Sequence, residues 1–279
     1  MVRVPSLSFS LTPPRAKPTP VVVEVPHAGL LLDAQSLAWL AAPARSLGAD
    51  ADLYADQLFA DAPDEGAHLI VANTSRYVCD LNRAEGDVDS LAVDGGTARS
   101  SPHGLVWRTT TEGRPALTGP LPRAEYERRV EVYHRPYHRA LEGLLEERRR
   151  QHGFAILLCG HTMPSRGRDG HDDAGTERAD VVPGSRGRTS AARPVIDLVE
   201  RLARDAGFRV VHDEPYRGGF STGHYGRPSE RTHAIQIELA RRLYMNERTL
   251  EPVPERLSTL RAFCRRLIGA LGKLDLSAS

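Results

Sequence analysis

The chain has 279 residues and a mass of 30.6 kDa, enough for one large α/β domain or two small ones. Its 37 basic and 36 acidic residues give a net charge of +1, so charge gives no reason to expect a nucleic-acid or membrane partner. The three cysteines form no CxxC pair, and no apolar run approaches the ~20 residues of a membrane-spanning helix. Because the N-terminus also lacks the apolar core of a signal peptide, we expect a cytoplasmic protein.

The first third of the chain predicts strands and short helices after an irregular start. Residues 1–20 contain five prolines, which forbid a regular helix and predict a tail or an edge strand. The run VVVEV at 21–25 predicts a buried strand, and residues 33–62 predict short helical pieces. HLIVANTS (68–75) and RYVCDLN (76–82) are rich in β-forming residues, so we expect them to pair as a hairpin.

The middle of the chain combines a long loop, a long helix and a second strand. Residues 84–122 are rich in Gly, Pro, Thr and charge, which predicts a long irregular excursion, either a functional cover or a mobile segment. Residues 124–151 predict a helix that Pro136 should kink or split. FAILLCGH (154–161) then predicts a strand that ends on a histidine.

The last third predicts further alternation of strands and helices. Residues 163–189 predict a polar loop, 193–208 an amphipathic helix, 208–216 a strand, 232–245 a strand that meets a glutamate, and 255–273 a closing helix. Strands that alternate with helices indicate an α/β layer architecture.

Ionisable groups stand at the ends of four apolar runs: His27, the segment Asp-Leu-Asn-Arg at 80–83, His161 and Glu238. Ligands of open α/β sheets bind outside the carboxyl ends of the strands. One histidine at a strand end is common and is usually a capping or loop residue. Four such ends in one chain indicate a common site.

Two imidazoles and one carboxylate would leave Zn²⁺ one or two positions for water and substrate. Such an ion acidifies water and polarises a carbonyl, and Glu238 could take up the proton and return it to a leaving amine. The alternative for Glu238 is an ion pair with Arg241 or Arg242 on the next helical turn. The carboxylate ligand must come from the first third of the chain, where the candidates are Glu24, Asp33, Asp50, Asp52 and Asp56.

Eight segments together resemble the N-formylglutamate amidohydrolase family, which is related in fold to aspartoacylases and zinc carboxypeptidases. They occur in the family's order, cover about residues 20–250, and include the specific patterns SRYVxDLNR and ELxxxxYM. The segments are PHAG (26–29), DADLYADQLF (50–59), SRYVCDLNR (75–83), PYHRAL (136–141), GHTMPS (160–165), ADVVPGSRGRTS (179–190), GGFSTGHYGRP (218–228) and AIQIELARRLYMNE (234–247).

The resemblance implies a single catalytic domain over residues 21–279, with a central mixed β-sheet flanked by helices on both faces, as in zinc carboxypeptidases. It implies one divalent metal ion, Zn²⁺ first, on His27, Asp52 and His161, with Asp50 and Asp56 as alternatives to Asp52.

The same resemblance implies a small acidic substrate and the residues that act on it. The expected reaction cleaves N-formyl-L-glutamate to formate and L-glutamate, at the end of a histidine-degradation route. Glu238 would be the general acid/base, and Arg76, Asn82, Arg83 and Tyr225 would face the substrate, with Arg76 also polarising the scissile carbonyl. A guanidinium holds a carboxylate through two hydrogen bonds, which suits this role.

Three alternatives remain at this point. The protein could be a related N-acyl amino acid deacylase, a carboxypeptidase-like hydrolase of other specificity, or a non-catalytic binding protein on the same scaffold. Arg83 could instead form only a surface ion pair with Glu85 or Asp87, a kind of pair that is common and weak.

Two glycines depart from the family pattern. Gly160 stands where the family often has an acid that would orient the neighbouring imidazole. Gly223 stands where the family often has an arginine, so a cation that favours a glutamate-like substrate is missing there. An arginine at 186, 188, 217 or 227 could supply that cation instead.

Overall fold

A computed structural model describes residues 8–95, 101–169 and 173–276 of the chain. Its centre is a six-stranded mixed sheet with the spatial order β1-β3-β2-β4-β6-β5. The four inner strands run parallel, and the two edge strands are antiparallel to their neighbours. The strands are β1 (Phe9–Thr12), β2 (Val21–Val25), β3 (His68–Ala72), β4 (Ala155–Met163), β5 (Val181–Gly184) and β6 (Thr232–Ala240).

Helices cover both faces of this sheet, which confirms the predicted α/β architecture of one domain. They are α1 (Ala34–Leu37), α2 (Ala44–Asp50), α3 (Ala55–Leu58), α4 (Arg123–Arg129), α5 (Arg135–His152), α6 (Arg193–Asp205), α7 (Phe220–Tyr225) and α8 (Pro254–Leu271). Three 3₁₀ turns lie at Ala62–Glu65, Pro228–Glu230 and Arg241–Leu243, and a small hairpin joins β7 (Met245–Asn246) to β8 (Glu251–Pro252). Among the described helices, none is both long and apolar enough to cross a membrane.

The inner strands are apolar runs because both of their faces are covered. Side chains of β2 alternate between two cores: Val21 and Val23 pack in the core that contains α6 and α8, and Val22 packs in the core that contains α5. Every residue of β2 and β4 is buried. This double burial leaves the polar groups of these strands to collect at their carboxyl ends.

The helix over 124–151 is interrupted where its proline predicts. A π-helical segment, Val130–His134, separates α4 from α5, and Pro136 is the second residue of α5. Proline has no amide hydrogen to donate, so the regular hydrogen-bond ladder cannot pass through it.

The prediction of strands at residues 76–82 and 208–216 is wrong. Residues 76–82 form turns and not the partner of a hairpin: the Val78 amide donates to the Ser75 carbonyl at 2.8 Å, and the Asp80 amide to the Leu105 carbonyl at 2.8 Å. Residues 208–216 form only one bridge, from Val210 to Val181. The sheet instead gains β5, which lies inside the segment 163–189 that was expected to be a loop.

The N-terminal segment contributes β1 as an antiparallel edge strand paired with β3. The described part of residues 84–122 forms turns and isolated bridges, in agreement with the predicted irregular excursion. Residues 1–7 of the predicted tail lie outside the described part of the chain. A boundary at residue 20 stays a prediction.

Candidate active site

A cavity of about 340 Å³ lies at the carboxyl ends of the parallel strands. His27 follows β2. His161 and Glu238 pair in register near the carboxyl ends of β4 and β6, before either strand ends. All but one of the predicted site residues line the cavity: His27, Asp52, Arg76, Asn82, Arg83, His161 and Glu238.

His27, Asp52 and His161 form a compact buried group. Nδ1 of His161 lies 3.1 Å from Oδ2 of Asp52, and Nδ1 of His27 lies 3.5 Å from the same oxygen. One possible ligand atom from each residue lies within 4.8 Å of the others. The Asp52 amide also donates to the His27 carbonyl at 2.9 Å, which fixes the two backbones together. Two imidazole nitrogens and a carboxylate oxygen are donors that suit Zn²⁺, so these residues fit a divalent metal.

The other ring nitrogen of each histidine is held by a polar partner. Nε2 of His27 lies 2.7 Å from Oδ1 of Asp80, and Nε2 of His161 lies 3.3 Å from Nδ2 of Asn82. Such partners fix the orientation of metal-binding imidazoles. Oδ1 of Asn82 accepts from the Ser221 backbone amide at 3.0 Å, which leaves its Nδ2 to face Nε2 of His161, while Nδ1 of His161 faces Asp52.

The acidic residues that neighbour Asp52 in sequence are placed elsewhere. Asp50 accepts hydrogen bonds from Tyr77, Thr111 and Arg168, and the Arg168 contact measures 2.7 Å. Asp56 lies exposed on α3. Of the three candidates, only Asp52 lies between the two histidines.

Asp80 is fully buried and contacts both His27 and Arg76, so it links the His27–Asp52–His161 group to an arginine of the cavity. Its Oδ1 also accepts from the Asn82 amide at 3.0 Å, and its Oδ2 accepts from Arg76 at 2.7 Å and from the Trp107 indole at 2.9 Å. Burial acts to raise the pKa of Asp80, but Arg76 and His27 hold that pKa well below its ordinary value. Asp80 therefore stays ionised and orients His27.

Arg76 and Arg83 both line the cavity but differ in how much of each guanidinium is free. Arg76 stacks over Trp107 at 4.2 Å and donates to Asp80 and to the Asp50 carbonyl. Nε of Arg83 donates to the carbonyl of residue 103 at 2.8 Å, and its NH1 donates to the carbonyl of residue 82 at 3.1 Å. Its contact with Asp87 is long, at 3.9 Å, so the surface ion pair is a minor interaction.

Glu238 is 6% exposed and accepts a 2.8 Å hydrogen bond from Gln236. Burial raises the pKa of Glu238 to about 7, which is the range for a group that exchanges protons near neutral pH. Among the described residues, Arg241 pairs instead with Asp52 at 3.6 Å and Arg242 with Asp180 at 2.7 Å. The alternative of an ion pair between Glu238 and these arginines is therefore wrong.

Tyr225 is the predicted site residue that the structure does not bring to this cavity. It lines a separate cavity beside α5, and its hydroxyl lies 2.9 Å from Nδ1 of His138. Nε2 of His138 donates to the Leu81 carbonyl at 3.0 Å, and Nε2 of His134 to the Arg83 carbonyl at 2.9 Å. Burial lowers the pKa of His138 to about 3, so its ring is neutral and donates through one nitrogen only.

The two departures from the family pattern have structural explanations. A Cβ at Gly160 would lie 2.4 Å from the ring of Phe59, so the position has no room for a side chain, and Asn82 contacts His161 instead. A Cβ at Gly223 would lie 2.9 Å from Nε of Arg186, whose side chain fills that space.

Of the four arginines that could replace the missing cation, one lines the cavity, Arg217. Arg186 donates to the Gly218 carbonyl, Arg188 pairs with Asp197 and Glu200, and Arg227 pairs with Glu230.

Sequence reasoning missed several residues of the cavity wall because they come from irregular segments. His103, Trp107 and Thr111 belong to the excursion at 84–122, Arg168 belongs to the segment after β4, and Tyr216 belongs to the segment before α7. The sequence signal for the first three was the length of the excursion, which predicted a functional cover or a mobile segment without naming its residues.

A mixed α/β sheet that carries a His–Asp–His group able to hold a divalent metal, beside a buried glutamate of raised pKa, is an arrangement that suits a hydrolase. The chain belongs to the N-formylglutamate amidohydrolase family, whose model matches residues 19–245. This membership confirms the resemblance read from the motifs and the prediction of a hydrolase that cleaves a linear amide.

Individual relatives agree with this assignment. The chain is 35% identical over 240 residues to an N-formylglutamate deformylase of Pseudomonas putida, with 82% of each chain covered. It is 32% identical over 232 residues to the deformylase of Pseudomonas aeruginosa, covering 82% of this chain and 83% of that one. The crystal structure of N-formylglutamate amidohydrolase from Ralstonia eutropha matches with a TM-score of 0.87 at 31% identity, covering 96% of this chain and 97% of that one.

Proposed function

We propose that the protein hydrolyses the formyl amide of N-formyl-L-glutamate to formate and L-glutamate. The observation that carries this proposal is one cavity that contains the His27–Asp52–His161 group, Glu238 and five arginines. The names of the deformylases that the chain resembles support the same substrate. A place at the end of a histidine-degradation route stays a prediction.

We infer that His27 and His161 would hold one divalent ion through Nδ1, together with a carboxylate oxygen of Asp52. Zn²⁺ suits this donor set best, and Mn²⁺, Fe²⁺ or Co²⁺ could replace it where they are more available. When bound, the ion supplies a Lewis acid that polarises a carbonyl and acidifies water.

Glu238 would act as the proton carrier of the reaction. Its carboxylate takes a proton from the water that attacks the formyl carbon, and it gives that proton to the amine nitrogen as the C–N bond breaks. Support comes from its place beside His161 in the sheet register and from its burial, which raises its pKa to about 7.

Two arginines would polarise the scissile carbonyl and bind a substrate carboxylate. Arg76, held by Asp80 and Trp107, presents a fixed positive charge to the scissile carbonyl. Within the described part of the chain, NH2 of Arg83 has no hydrogen-bond partner, so it could bind a substrate carboxylate. Asn82 would act through its contact with His161, because its Oδ1 already accepts a hydrogen bond from the backbone amide of Ser221 at 3.0 Å.

The proposal is tested by metal analysis of the purified protein, followed by assays of formate and acetate release from N-formyl and N-acetyl amino acids. We expect about one metal per chain, loss of activity with a chelator, recovery with Zn²⁺, and the highest kcat/KM for N-formylglutamate. Acetate release from N-acetylglutamate without formate release would favour the related deacylase. A metal-loaded protein without turnover would favour the binding protein.

A further inference from the structure

Five arginines and three carboxylates line the cavity, so its wall has an excess of positive charge. In three of these guanidinium groups both terminal nitrogens donate to the protein itself. Arg76 donates to Asp80 at 2.7 Å, Arg168 donates to Asp50 at 2.7 Å, and Arg241 donates to two backbone carbonyls at 2.6 and 2.5 Å. A substrate carboxylate that drew Arg168 away would leave the charge of Asp50 buried without its cation, which is costly.

Among the residues that the structure describes, the other two cavity arginines, Arg83 and Arg217, keep a terminal guanidinium nitrogen without a hydrogen-bond partner. Arg83 has NH2 available, as described above. Arg217 is exposed, and among the residues that the structure describes its guanidinium makes no hydrogen bond or ion pair. Its NH2 lies beside Gly187, where a Cβ would be 3.3 Å away, and its donors are available to a ligand.

The backbone that carries Arg217 is held firmly, although its side chain is free. The Arg217 carbonyl accepts from the Arg186 amide at 2.7 Å, and the Gly219 amide donates to Gln236 at 2.9 Å. Gly218 has a φ of +101°, a conformation open to glycine, and a Cβ at Gly219 would lie 2.2 Å from Nδ2 of Asn82. The segment thus lies directly against Asn82, which contacts His161.

We propose that Arg217 binds the side-chain carboxylate of the substrate and selects acidic N-formyl amino acids over neutral ones. This inference rests on the proposed function, because N-formylglutamate brings two carboxylates to a cavity in which NH2 of Arg83 and the guanidinium of Arg217 can donate to a ligand. Arg83 binds one carboxylate and Arg217 the other. The pair also accounts for the cation that Gly223 does not supply.

The test compares N-formyl-L-glutamate with N-formyl-L-glutamine, which has nearly the same shape and no side-chain charge. Arg217→Met should lower kcat/KM for N-formylglutamate by at least about tenfold, mainly through KM, since a charge-assisted hydrogen bond is lost. For N-formylglutamine the change should stay below about threefold, because no carboxylate is present to lose a partner. Arg217→Lys should keep part of the selectivity, since it keeps the charge without the fork.

The matched control is Arg193→Met on α6, whose side chain is 88% exposed and lies outside the cavity. It should leave both substrates unchanged, and circular dichroism should show that all variants are folded. Equal losses on the two substrates, or unchanged selectivity, in Arg217→Met would overturn this inference and leave the proposed function standing. A wild-type protein that releases no formate from either substrate would overturn the proposed function and this inference with it.

Discussion

At the inner end of the cavity, His27, Asp52 and His161 are 2–3% exposed and lie on or just after strands and the loop that follows α2. At the outer end, Arg83 and Arg217 come from irregular segments and keep contact with solvent. The inner residues bind one another, whereas the outer ones keep donors free. We propose that the chemistry depends on the buried inner group and the choice of substrate on the two outer arginines.

The first way to test this division is Glu238→Gln at the inner end, where we expect the largest effect. The amide keeps the size of the side chain but cannot accept the proton, so kcat should fall by about 10²–10⁴-fold or more. Metal content and substrate affinity should stay close to wild type. Glu255→Gln on the exposed face of α8 is the control. A wild-type rate in Glu238→Gln would show that Glu238 does not carry the proton in this reaction.

Asp80→Asn tests whether the inner end is held together by its buried carboxylate. Loss of the charge that orients His27 should weaken metal affinity by about 10–100-fold, as measured by competition with a chelator. Asp89→Asn is a matched control, because Asp89 is also buried and pairs with an arginine, Arg108 at 2.7 Å, outside the cavity. Both variants should lose stability. Equal metal affinity in the two would show that Asp80 is only structural.

Arg83→Lys moves the test to the outer end. Lysine keeps the charge and loses the planar fork, so transition-state binding should weaken by about 1.5–3 kcal/mol. The readout is kcat/KM for N-formylglutamate, with metal content unchanged. Kinetics identical to wild type would show that Arg83 does not bind the substrate and forms only the surface ion pair with Asp87.

The smallest effect is expected for Tyr225→Phe, outside the cavity. The variant loses one hydrogen bond to His138, so the free energy of unfolding should fall by about 1 kcal/mol. KM should change by less than about threefold, because Tyr225 lines a separate cavity. An increase in KM of tenfold or more would support the direct substrate contact that the sequence predicted.

The two ends of the cavity also differ in how far the sequence predicts them. His27, His161 and Glu238 were predictable because each comes at or near the end of an apolar run, and parallel strands bring such ends together. Asp52 follows no strand, so its choice over Asp50 and Asp56 depended on the family resemblance.

What could not be predicted are pairings between distant positions. Asp80 contacts Trp107, which is 27 positions away, and His27, which is 53 positions away. Those contacts also explain why residues 76–82 are turns despite their β-forming composition, since tertiary contacts override a weak local preference. The free donors of Arg217 become visible only when the partners of the other cavity arginines are known.

Anomalous diffraction from crystals grown with Zn²⁺ would test the central claim most directly. The predicted result is one peak about 2 Å from Nδ1 of His27 and from Nδ1 of His161, with Asp52 as the third ligand. The claim would be contradicted by a metal that binds elsewhere, or by two imidazoles that share no metal in a crystal of fully active protein.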